Sequence, residues 1–240
     1  MTQAKPFDFI LGSPYWIWVG IAMFSAVFAA LFAVIFWEYF GPKPKRRISV
    51  NGTSIELWDK ERKMPGGAGG IIVPVASDMK MSSGISKWVR DASANAVQYE
   101  ALRVAPMQPG EFFVGSGGRY RFAKTALAVV MDDQKRTSTE WIKRAVSASI
   151  SNLREMDADV ILVPDMTEDL LRQPTWISDE QRKETCRPIA RAMLDGIIEG
   201  CQDVERVKIW AWRGNADIWA EELDRISAEQ KALIATPVHA

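Results

Sequence analysis

Histidine is nearly missing from this chain: the single one among 240 residues is His239, beside the C-terminus. That scarcity excludes a Ser-His-Asp triad, a Cys-His dyad and a histidine-held metal, each of which needs an imidazole inside the fold. Any catalysis would have to run on carboxylates, amides, hydroxyls or bound water, and no catalytic residue is assigned. Cysteine is almost as scarce. Cys186 and Cys201 do not fit a zinc-ligand spacing, and in a cytoplasmic domain they are expected as free thiols. No metal and no cofactor is expected. An excess of one charge is missing too: 30 Lys and Arg balance 30 Asp and Glu, so nothing draws the chain toward nucleic acid.

A fourth absence is local. No charged residue lies between Asp8 and Glu38. At ~1.5 Å per residue, about 20 apolar residues cross a ~30 Å hydrocarbon layer, and a helix pairs its own backbone polar groups there. This predicts an N-terminal segment over 1–14, a transmembrane helix over 15–40, a basic linker over 41–47 and a cytoplasmic domain over 48–240. Tyr15, Trp16 and Trp18 at one end and Trp37 at the other read as interfacial anchors. A cleaved signal peptide would have a shorter apolar region and a basic start. Lys43, Lys45, Arg46 and Arg47 follow the run. By the positive-inside rule they place the N-terminus outside and the domain inside a cytoplasmic (inner or intracytoplasmic) membrane. The same cluster would favour anionic lipids.

Beyond the apolar run, periodicity alternates. Arg47–Trp58 reads as a hairpin turning at Asn51-Gly52. Ile71–Ala76, Phe112–Val114, Ala126–Met131, Val160–Pro164 and Val207–Trp212 read as strands. Gly84–Arg103 has helical spacing, with Ile85, Trp88, Val89, Ala92, Ala96 and Tyr99 on one stripe. Trp141–Met156, Glu180–Gly200 and Asn215–Ile234 read as further helices. Trp88, Trp141, Trp210 and Trp219 fall on expected core faces. The fold class is α/β: a mixed sheet between helix layers.

Several segments, in order, resemble the macro domain family, which binds ADP-ribose. Ile72-Val-Pro-Val-Ala-Ser77 stands where that family has a strand ending in Asn-Ala-Ala-Asn. Ser82-Ser-Gly-Ile-Ser86 stands at its glycine-rich loop opening a helix. Gln108-Pro-Gly-Glu-Phe112 is similar to its Pro-Thr-Gly-Glu-Ala step. Val160–Pro164 resembles the strand before its second phosphate loop, and Trp210–Trp219 its last strand and the start of its last helix. The resemblance implies a macro-domain-like sheet and a ligand site at Asp59 (adenine), Ser77, Ser82, Ser83, Gly84 and Asp165.

That site departs from the family's chemistry. Pro74 has no N–H to offer, and Ser82 and Ser83 replace glycines. The second phosphate loop reads Asp165-Met-Thr-Glu-Asp-Leu-Leu171, whose carboxylates would repel a diphosphate by about 1–4 kcal/mol per pair at ~4 Å. ADP-ribose binding no tighter than millimolar is expected.

Together these readings predict a non-catalytic, membrane-anchored accessory subunit that stabilises a multi-subunit complex. Pro6–Tyr15 is similar to the stretch before the first span of photosynthetic reaction-centre L subunits. That implies a reaction-centre and light-harvesting assembly, with a respiratory complex as the alternative. Its partners would be other subunits, lipid and pigments touched but not ligated, since the span holds no histidine. The second reading is a membrane-tethered ADP-ribose or nucleotide sensor, and the third an ADP-ribose hydrolase.

Overall fold

The computed structural model describes residues 14–40, 43–59, 65–117, 122–171, 178–211 and 214–235; the side chains of 14–17, 33–40, 168 and 233–235 lie outside that description. The chain divides into two compact units, Met1–Lys43 and Pro44–Ala240.

Among its described residues the first unit has one helix, α1 (Pro14–Phe40). Among the described residues no helix is long and apolar enough to cross a membrane. The expected single-pass span, with its outside N-terminus and membrane localisation, is therefore overturned. Trp18 is 69% exposed. The side chains of Tyr15, Trp16 and Trp37, and residues 6–13 of the reaction-centre resemblance, lie outside the described residues.

In the second unit, β1 (Arg46–Val50) and β2 (Thr53–Asp59) form the hairpin expected at Asn51-Gly52. Both turn residues have positive φ, 50° and 85°, as a two-residue turn matched to strand twist requires. The basic run leads into this strand, and Lys45, Arg46 and Arg47 have partners in the domain. Lys45 Nζ lies 2.7 Å from Asp217, Arg46 3.3 Å from Asp224 and Arg47 2.7 Å from the buried Glu56. Arg47 and Glu56 are also register partners across the hairpin, where opposite charges favour pairing.

The remaining strands are β3 (Gly70–Ala76), β4 (Phe112–Ser116), β5 (Lys124–Met131), β6 (Val160–Pro164) and β7 (Arg206–Ala211). They complete one seven-stranded sheet in the order β1-β2-β7-β6-β3-β5-β4. The β1–β2 and β4–β5 pairs are antiparallel and the other neighbours parallel. β3 is buried along its whole length, which explains its continuous apolar run. Alternate side chains serve opposite faces: Ile72 joins one core, and Ile71, Val73 and Val75 the other.

The larger core lies under α4 (Thr139–Glu155), α6 (Asp179–Gly200) and α7 (Ala216–Ala235), with Trp219 fully buried. A Cβ on Gly196 or Gly200 would stand 2.5 Å from a carbonyl oxygen of α4, so these glycines let the two helices touch. The smaller core lies under α2 (Gly84–Ala92) and α3 (Ala96–Leu102). One continuous helix is expected over this stretch, and the structure divides it. Ala94 and Asn95 take φ of 52° and 65°, and the Ser93 hydroxyl donates to Arg90 O. The break rotates the stripe. Val89, Val97 and Ala101 are buried, whereas Trp88 and Tyr99 are 38% and 65% exposed. A short helix, α5 (Thr167–Leu171), follows β6.

Candidate functional site

Open α/β sheets bind ligands beyond the C-terminal ends of their strands, where successive connections leave in opposite directions. Here that point lies between β3 and β6. The chain leaving β3 goes on to β4 and β5 at one edge, and the chain leaving β6 reaches β7 on the other side. The two strands pair only at Gly70–Ile161 and Ile71–Leu162, so their C-terminal halves are unpaired with each other.

β3 runs out through Ser77, whose N–H and hydroxyl both donate to Met131 O, at 2.9 and 3.3 Å. Ser77 is thus a buried tie between β3 and β5. A turn through Asp78 and Lys80 follows, then exposed Ser82 and Ser83 and the start of α2. Ser83 holds the N-cap position in extended conformation, yet its side chain makes no capping bond. Gly84, the first residue of α2, has φ +52°, a conformation costly for any residue with a Cβ.

The start of α2 is served from the other loop instead. Ile85 N–H donates to Asp169 Oδ2 at 3.4 Å. A Cβ on Gly84 would fall 1.5 Å from Asp169 Oδ1, so the carboxylate fills the space that the glycine leaves. Free N–H groups and the helix dipole favour a negative group at this end.

Asp165, four residues earlier, has a different task. Its Oδ1 accepts from Thr167 N (3.0 Å) and Thr167 Oγ1 (2.7 Å), and its Oδ2 from Asn215 Nδ2 (3.0 Å). Asn215 is buried and also donates to Thr167 Oγ1 at 2.6 Å. Asp165 therefore ties the end of β6 to the start of α7.

Between the loops is a small cleft lined by Lys80, Ser82, Ser83, Lys135 and Asp169 above a floor of β3. Its free volume of about 30 Å³ holds roughly two waters. Lys80 and Lys135 each approach Asp78 at 3.5 Å. Burial works to raise the Asp78 pKa, but the Lys80 N–H and the charges of Lys135 and Lys80 outweigh it and leave the carboxyl below its ordinary value. Lys135 sits in a turn closed by Asp132, whose Oδ1 accepts from Gln134 N and Arg136 N.

The structure thus brings Ser82, Ser83 and Gly84 together with Asp169. Ser77 and Asp165 hold the strand ends without lining the cleft. Asp59 ends β2 in register with Ala211 and is likewise not among the lining residues. Lys80 and Lys135 escape sequence reasoning, although a charged Asp78-Met-Lys80 step between a buried strand and a helix is a usable signal for the first. The Glu168 side chain lies outside the described residues. Among those described, no group of three His, Cys, Asp or Glu could hold a metal.

No protein-family model and no curated protein matches the chain. Solved structures do. The Oceanobacillus iheyensis macrodomain with ADP superposes with a TM-score of 0.60 at 15% identity, over 77% of this chain and 97% of that one. The same macrodomain with MES bound gives 0.60 at 14%, over the same shares. The Trypanosoma brucei macrodomain in complex with ADP gives 0.54 at 9%, over 70% of this chain and 68% of that one. The domain has a macrodomain-like fold. With no membrane-crossing helix among the described residues, this likeness of fold overturns the expected accessory subunit of a membrane complex, and no photosynthetic link accompanies it.

Proposed function

We propose that the Pro44–Ala240 domain binds ADP or the ADP moiety of ADP-ribose, with the diphosphate at the N-terminus of α2. One observation carries this reading. The α2 start already accepts an anionic group, the Asp169 carboxylate, through Ile85 N–H beside a glycine that leaves it room. Such an end suits phosphate for the same reasons. Lys80 and Lys135 line the same cleft and supply positive charge. Macrodomains of similar fold hold ADP, which supports the choice of ligand.

Binding without hydrolysis is the second part of the reading. The described lining offers hydroxyls, two lysines and one carboxylate, and that carboxylate is engaged at α2. Nothing there is placed as a general base with a partner to orient it.

The test is an amide NMR titration of the full chain with ADP, and with adenosine as the control that lacks phosphate. Saturable shifts of Ser83 and Ile85 with ADP alone are expected. Shifts that fail to saturate, or that adenosine reproduces, would refute diphosphate binding at α2.

A further inference from the structure

We propose that Asp169 is a resident competitor for the anion site and determines which ligands the cleft admits; this rests on the proposed ADP site. Helix starts present N–H groups that a neighbouring Ser, Thr, Asp or Asn normally satisfies. Ser83 stands at that position and makes no such bond. The bond comes from 84 residues away in sequence, at Asp169. The carboxylate is not passing nearby: its Oδ1 lies where a Gly84 side chain would be.

The remaining charge of the cleft is balanced internally as well. Lys80 and Lys135 both face Asp78. Two carboxylates therefore stand against two ammonium groups and one helix end. A ligand at the α2 start must exchange for a resident carboxylate rather than fill an open site. Exchange does not require α5 to unfold. Thr167 is tied to Asp165 and Asn215, and Leu170 is buried, so the backbone on either side of Asp169 is anchored. Withdrawal of the Asp169 carboxylate frees the Ile85 N–H. The apparent affinity is then the intrinsic affinity reduced by the fraction of molecules with Asp169 withdrawn. A diphosphate, which gains the helix end and both lysines, overcomes that reduction. A single carboxylate, which only replaces like with like, does not.

Calorimetric titration of the full chain and of its Asp169→Ala and Asp169→Asn variants, with ADP and with inorganic pyrophosphate, tests this. Asp169→Ala should bind both at least tenfold more tightly than the unchanged chain. Asp169→Asn, nearly the same shape without the charge, should lie between and guards against a folding defect in the alanine variant. Equal or weaker binding in both variants would overturn the competitor role and leave the ADP site standing. No ADP binding by any of the three proteins would overturn both.

Discussion

The two loops at the open end of the sheet use the same residue type in opposite ways. At the end of β6, Asp165 spends its carboxylate on Thr167 and Asn215, inside its own neighbourhood. Asp169, on the same loop, reaches across the cleft and caps a helix that belongs to the β3 loop. As a run of sequence the two are alike, and both count as repulsive toward a diphosphate. In the fold, one is a brace and the other occupies the place proposed for the ligand's diphosphate. Charge near a site is therefore informative only once its partner is known.

Breaking the brace should produce the largest change. Asp165→Ala strands the buried Asn215 amide and the Thr167 hydroxyl, and a charged hydrogen-bonded group of this kind contributes about 2–3 kcal/mol. Urea denaturation should show a loss of that order, whereas Asp169→Ala should change stability far less.

Gly84→Ala comes next. The left-handed backbone alone costs roughly 1–2 kcal/mol, and the new Cβ also displaces Asp169. Combined with Asp169→Ala the variant should recover the steric part and keep the backbone part, a non-additivity that a double-mutant cycle measures.

Removing a cation sharpens the contrast on the binding side. Lys135→Ala should weaken ADP binding several-fold, about 1 kcal/mol for one charge at ~4 Å in a wet site, with little loss of stability.

The smallest effect belongs to Asp78. Its carboxyl is lowered in the folded state, so the stability it contributes is fully present above the ordinary carboxylate pKa and is lost as pH falls through the lowered value. Thermal melts between pH 5 and 3, a range set by about the ordinary carboxylate pKa, should fall less steeply for Asp78→Asn than for the unchanged chain. Equal slopes would remove Asp78 from the account.

Much of the sheet was legible because its signals are local. Asn51-Gly52 specifies its turn by the φ values those residues tolerate, and Ile71–Ala76 reads as buried because both its faces are. The division of α2 from α3 was not legible. No glycine or proline marks Ala94 and Asn95, and the helical stripe continues across them with Trp88 and Tyr99 on what becomes the outer side. The basic run entering β1 reads as a membrane flank because its partners Asp217 and Asp224 lie far along the chain on α7. The candidate site divides the same way. Ser82, Ser83 and Gly84 form one local motif and are found from it. The Asp169 contact and the approach of Lys135 join separate segments, and no pattern along the sequence announces them.

The most direct measurement is a crystal structure of the full chain grown with ADP. The account predicts the diphosphate within hydrogen-bonding distance of Ile85 N, Lys80 and Lys135 beside it, and the Asp169 carboxylate turned away from α2. ADP bound elsewhere, or bound while Asp169 still accepts from Ile85 N–H, would contradict it.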